Sequence, residues 1–235
     1  TTVSGLESGE TYYYRLRSQG KLNPKGIAGT NLKLWLDASE LTSLTAKWED
    51  KSGNGNSADV SGSPSVVTNA QNGLSVMHYT GNSQYHDFVK ISDIRTVFWV
   101  VSQDSSANGS GYRFLLCSGG YGGSHPSVNF NNDNNGKFWG NSADSNVKTG
   151  STTKMNGTQL SGHTNYPNNL SIISLVTAGN VAANRFGQDR THTGRQWIGK
   201  LGELIIYNSG LTPTEVEKVE GYLAHKWALT NNLDN

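Results

Sequence analysis

The run from Gly199 to Trp227 constrains the fold more than any other part of the chain. Gly199-Lys-Leu-Gly-Glu-Leu-Ile-Ile-Tyr207 reads as an apolar strand, and a short turn follows it. Thr212 is then a natural N-cap, Pro213 occupies the first helical position, and Glu215 completes a capping box. Val216, Val219, Leu223 and Trp227 fall on one helical stripe, which must find a surface to cover. His225 and Lys226 suit the negative end of that helix. Nearly everything upstream alternates in short strands broken by Gly, Asn and Ser. The expected fold is therefore all-β, a sandwich or jelly roll closed by one C-terminal helix.

Coarse strands are predicted at Leu32–Leu36, Leu74–Tyr79, Arg95–Val101, Tyr112–Cys117, Ser127–Phe130, Lys137–Gly140, Leu170–Val176, Asn184–Gly187 and Gly202–Tyr207. Arg95-Thr-Val-Phe-Trp-Val-Val101 is continuously apolar, so it is expected to be buried on both faces. The 28 glycines demand many turns, and 34% hydrophobic residues with six Trp and ten Tyr rule out a disordered chain. A net charge of +1 argues against nucleic acid as a partner, and no stretch is apolar enough for membrane insertion. The single cysteine, Cys117, is read as a buried thiol.

Residues 1–18 stand apart. Leu6, Gly9 and Tyr12, followed by an alternating strand, resemble the end of a fibronectin type III module with its tyrosine corner. Alternatively they form a first hairpin of the main domain. Residues 19–30 have linker composition. The main domain is expected over 31–229, with a tail at 230–235. Leu34-Trp-Leu-Asp-Ala38, Trp48-Glu-Asp-Lys-Ser-Gly-Asn-Gly-Asn56, Gly199–Tyr207 and Val219–Trp227 resemble bacterial laminin G-like domains of the concanavalin A-like lectin/glucanase superfamily. That resemblance implies a two-sheet antiparallel β-sandwich of the jelly-roll, concanavalin A-like kind, and a module of a large secreted or cell-surface bacterial protein. Superfamily members bind glycans or proteins, hydrolyse glycosides, or act as spacers, so fold alone does not settle function.

Asp50-Lys-Ser-Gly-Asn-Gly-Asn56 spaces oxygen side chains as the start of a calcium loop does. By the resemblance, Asp37, Asp50, Asn54 and Glu203 are the expected ligands of a structural Ca²⁺. The competing reading is a Gly/Asn turn held by its own side chains. Asn131–Gly136 is read as a hairpin turn. For a glycan, aromatic rings supply stacking platforms and polar side chains bond hydroxyls. Tyr121 and Tyr166 are expected on exposed loops and Trp139 and Tyr112 on a sheet face or rim. Arg113, His125 and Asn129 are expected to bond hydroxyls. Trp35, Trp48, Trp99, Trp197 and Trp227 are assigned to the core. The alternating carboxylate strand of the superfamily's hydrolases is absent, so the chain is expected to be no enzyme. The expected function is carbohydrate binding without catalysis in an extracellular protein; the alternative is a structural or adhesive spacer making protein contacts.

Overall fold

Two strands of unusual length organise the chain. The computed structural model describes residues 22–81, 83–109, 111–118, 129–133, 135–160, 164–189 and 194–230. In chain order the elements are helix α1 (Pro24–Ala28), strands β1 (Leu32–Asp37), β2 (Lys47–Trp48), β3 (Ala58–Ser61), β4 (Ser65–Gln71), β5 (Leu74–Thr80), β6 (Tyr85–Gln103), β7 (Phe114–Cys117) and β8 (Asn129–Asn131), then α2 (Ser145–Lys148), β9 (Thr152–Met155), β10 (Thr158–Gln159), β11 (Ser171–Phe186), β12 (Ile198–Tyr207) and α3 (Pro213–Lys226). β6 and β11 pair antiparallel along their whole lengths and take part in both layers of a β-sandwich. One layer runs β10-β9-β11-β6-β12-β5-β4, with β1 paired to the far half of β12. The other runs β2-β3-β6-β11-β7-β8. The register slips between Val176 and Val181, where the two strands pass from one layer to the other.

Burial follows from this path. Val97, Trp99 and Val101 point between the layers, while Phe98 and Val100 point outward under α3. That is why this half of β6 reads as one apolar run. The other half, at Tyr85–Ile94, has one solvent face and alternates, with Val89 outside and Phe88 and Ile91 inside. The interlayer core gathers Tyr79, Trp99, Phe186 and Trp197. A second core holds Ile205, Tyr207, Val216, Val219, Leu223 and Trp227 between sheet and helix.

α3 is capped as its sequence predicts. The Glu215 amide donates to Thr212 Oγ1, and Glu215 Oε2 accepts from the Thr212 amide at 2.8 Å. Its other end is held by the β4–β5 hairpin. There Asn72-Gly73 turns with positive φ at both residues. Gln71 and Asn72 donate to the carbonyls of Trp227 and Lys226.

Several expectations need correction. Leu170–Val176 and Asn184–Gly187 belong to one strand, β11. Lys137–Gly140 is not a strand; Lys137 makes an isolated bridge to Asn165. The turn at Asp133–Lys137 forms, with the Asp133 carboxylate accepting from the Asn135 and Lys137 amides. It does not join two mutually paired strands, because β8 pairs with β7. Within the stretch read as linker, Pro24–Ala28 is helical, and the Tyr207 hydroxyl donates to the Pro24 carbonyl at 2.9 Å. Residues 1–18 lie outside the described residues, as does the tail beyond 230.

A bulge in β12 seats the helix. Leu201 faces Val101 and Glu203 faces Val100, so Gly202 is the extra residue. Gly202 and Glu203 thus both face the helix, and Leu204 and Ile206 return to the interlayer core. A Cβ on Gly202 would lie 2.8 Å from the Trp227 ring. Gly202→Ala is expected to cost about 1–3 kcal/mol through overpacking, read as a lower urea midpoint.

Candidate functional site

The expected metal site resolves into two arrangements that share Trp35, whose amide serves one and whose indole serves the other. Asp37 and Glu203 come together as register partners where the end of β1 meets the middle of β12. A cation does bridge them, and it is the ammonium of Lys226, 2.8 Å from Asp37 Oδ2 and 2.7 Å from Glu203 Oε1. Lys51 reaches the same Asp37 oxygen at 2.8 Å. Glu203 is fully buried and accepts from two indoles, Trp227 Nε1 at 2.9 Å and Trp35 Nε1 at 2.8 Å. Burial, and then the charge of Asp37, push the Glu203 carboxyl up to about 7 against the pull of Lys226. Burial works the same way on Asp37, but Lys226 and Lys51 outweigh it and hold that carboxyl below its ordinary range.

Asp50 and Asn54 serve their own loop. Asp50 Oδ1 accepts from the amides of Trp35 and Ser52, and Oδ2 from the Ser52 hydroxyl and the Asn56 amide. Asn54 Nδ2 donates to the Leu32 carbonyl at 2.7 Å. The loop is thereby pinned to β1, which is the side-chain-held turn. Among the described residues no group of three or more His, Cys, Asp or Glu is placed to hold a metal. The four residues named for Ca²⁺ do not fit it: two bracket an ammonium, and a third has both oxygens committed.

The residues expected to meet a glycan are scattered. Tyr121 and His125 lie outside the described residues. Tyr166 is buried, not exposed, and packs edge-on against Phe138 at 4.3 Å and Trp197 at 5.4 Å. Asn165 before it is exposed, while its ring fills the interlayer core. Tyr112 is half-buried, with the Arg195 guanidinium 5.1 Å from its ring centroid. Arg113 is buried and donates to the carbonyls of Tyr112 and Gly194. Asn129 opens β8, opposite Cys117. Cys117 is buried, and its thiol donates to the Gln188 carbonyl.

Trp139 is the one that lines a cleft. It is half-buried, and its Nε1 donates to Thr153 Oγ1 at 2.9 Å. Phe138 stands perpendicular to it at 4.8 Å and Trp99 lies behind at 6.3 Å. The cleft, about 300 Å³, is completed by Lys148, Ser151, Gln159 and Leu160. Lys148 is held by the Asn141 carbonyl at 2.7 Å and Ser151 by the Val147 carbonyl at 2.5 Å, so α2 fixes this wall. An indole locked at its nitrogen, beside hydroxyls, an amide and an ammonium, can offer stacking and hydrogen bonds to one ligand.

No protein-family model matches the chain, and no curated protein matches it. Solved structures do. A mutant of Trypanosoma rangeli sialidase displaying trans-sialidase activity matches 89% of this chain at 13% identity with TM-score 0.53, over 35% of its own length. The same sialidase with the inhibitor DANA matches 83% of this chain at 14% identity, TM-score 0.48, over 33% of its length. An exo-β-1,3-galactanase from Phanerochaete chrysosporium, with galactose, matches 64% at 13% identity, TM-score 0.28. This chain therefore spans about a third of the sialidase it matches. At such identity the likeness shows the fold. It also corrects one expectation. The missing carboxylate alternation was the ground for expecting no enzyme, yet the sialidase whose fold this chain shares displays trans-sialidase activity, so that exclusion does not stand. Among the described residues no helix is long and apolar enough to cross a membrane.

Lys226→Met is expected to cost about 3 kcal/mol, because it leaves buried Glu203 without its counter-charge while Asp37 keeps Lys51. The loss should be larger at about pH 8 than at about pH 5, where Glu203 takes up a proton and relieves the repulsion. In the unaltered protein the sign is the same. Glu203 binds its proton more tightly folded than unfolded, so its contribution is full below about pH 4.5 and falls as pH rises through about 7. Urea midpoints across pH check both. Calcium or chelator is expected to leave the midpoint unchanged, since an ammonium already bridges the pair.

Proposed function

We propose that this chain is the glycan-recognising domain of an extracellular carbohydrate-active protein. The observation that carries this is the Trp139 cleft: a rigid, half-exposed indole edged by Ser151, Thr153, Gln159 and Lys148. A pyranose presents an apolar C–H face to such a ring and hydroxyls to its rim. The wall behind it is core, so no conformational order must be created on binding. Further support comes from the laminin G-like motifs of residues 31–229. The sialidase that matches in fold points the same way.

The test is affinity electrophoresis through a panel of marine, plant and microbial polysaccharides, with released reducing sugar measured in parallel. Retardation by one class is expected. Trp139→Ala should weaken it roughly tenfold, the scale of a lost stacking contact. The variant's urea midpoint falls with the lost packing on Phe138 and Trp99, and a single cooperative transition shows that it still folds. Release of reducing sugar would make the chain itself hydrolytic. Absence of both retardation and release across the panel would overturn the reading and leave the adhesive alternative.

A further inference from the structure

A second polar cleft opens where β6 ends, and its chemistry differs from that of the Trp139 cleft. It is lined by the side-chain amides of Gln103, Asn108, Asn135, Asn165 and Asn168 with Gly109 and Gly136. No lining residue is charged. The amides are ordered by one another. Gln103 Nε2 donates to Asn108 Oδ1 at 2.9 Å, Asn108 Nδ2 donates to Asn168 Oδ1 at 3.0 Å, and Asn168 Nδ2 donates to the Gln103 carbonyl at 3.0 Å. Asn108, Asn135, Asn165 and Asn168 are exposed, whereas Gln103 is only 2% exposed. Its Oε1 is buried without a hydrogen-bond partner. A buried amide oxygen left unpaired costs free energy that a donor from a ligand would recover.

We propose that this cleft is a glycan subsite that takes the hydroxyl edge of a neutral sugar. The inference rests on the glycan-recognition reading and adds to it a place and a chemical class. Each side-chain amide offers donors and an acceptor without charge, which matches a hydroxyl group that both donates and accepts. A turn of the Gln103 side chain brings its covered Oε1 to the incoming O–H, whose oxygen accepts from an exposed Asn amide of the rim. At about 80 Å³ the cleft admits an edge of a ring and not the whole of it. The rest of the ligand has room next door, in a cleft of about 320 Å³ that shares Asn168 and is lined by Ser102, Asn169 and Lys200. The ring of Gln103, Asn108 and Asn168 is therefore prearranged, and binding orders little that is not already ordered.

The experiment is an NMR titration of the whole chain with neutral trisaccharides of galactose, glucose and xylose, following side-chain amide and indole signals. The side-chain NH₂ signals of Asn108, Asn168 and Gln103 are expected to shift with one of them. Asn168→Ala, an exposed position, should then bind that trisaccharide about fivefold to tenfold more weakly, as loss of one or two neutral hydrogen bonds requires. A trisaccharide that shifts the Trp139 indole but leaves these amides and the Asn168→Ala affinity unchanged overturns the subsite and spares the glycan reading. No shift anywhere with any of the three, together with no retardation by any polysaccharide, overturns both. An unaltered thermal midpoint in Asn168→Ala separates lost binding from lost folding.

Discussion

Glu203 is a carboxylate with no exposed surface, and the packing of the helical layer depends on keeping it satisfied. Its oxygens take the N–H groups of Trp35 and Trp227 and the ammonium of Lys226. These donors come from β1 and from the end of α3, so one side chain ties the first strand, the last strand and the terminal helix together. The bulge at Gly202 makes the arrangement possible by turning two neighbouring residues to the same face. Glycine is required at the first because the Trp227 ring occupies the space a Cβ would need. A buried ion cluster of this kind adds little net stability compared with an apolar core, but breaking any member strands the others. It therefore specifies how the helix sits more than it strengthens the fold.

With the helix fixed on the outer face, β6 and β11 carry the geometry inward. Both cross from one layer to the other, and the polar ground lies near their ends. Gln103 is the last residue of β6, and Asn168 comes shortly before β11 begins. The Trp139 cleft is walled by β9 and β10, which extend the same layer beyond β11. Rigid strands thus set the positions of loop side chains, the usual division of labour in a β-sandwich. The two clefts complement each other chemically, one offering an aromatic ring and the other an array of neutral amides.

Much of this was legible residue by residue. The capping box at Thr212–Glu215, the buried stripe of α3 and the apolar run of β6 depend on local spacing, and the structure has them as read. The Asn-Gly pairs at 72–73 and 156–157 were equally local hairpin signals for β4–β5 and β9–β10, and neither hairpin was recognised from sequence. Tyr166 misled because Gly, Asn and Pro around it indicate a loop. Nothing local shows that its ring points inward, between Phe138 and Trp197.

What the sequence by itself determined was the architecture: an all-β sandwich with one capped C-terminal helix, since periodicity, caps and turn residues act over a few positions. By its resemblance to laminin G-like domains it also named Asp37 and Glu203, with Asp50 and Asn54, as ligands of one cation. Only the tertiary structure decided which cation joins the first two. Lys226 looks from sequence like a charge suiting a helix end, and it becomes the bridge because the helix axis aims it at the β1–β12 pair. The amide cluster was likewise invisible, because Asn168 is brought to Gln103 and Asn108 across a separation of 60 residues from Asn108. Polar side chains carry no periodic signal, so where they converge is set by long-range register and not by their neighbours in the chain.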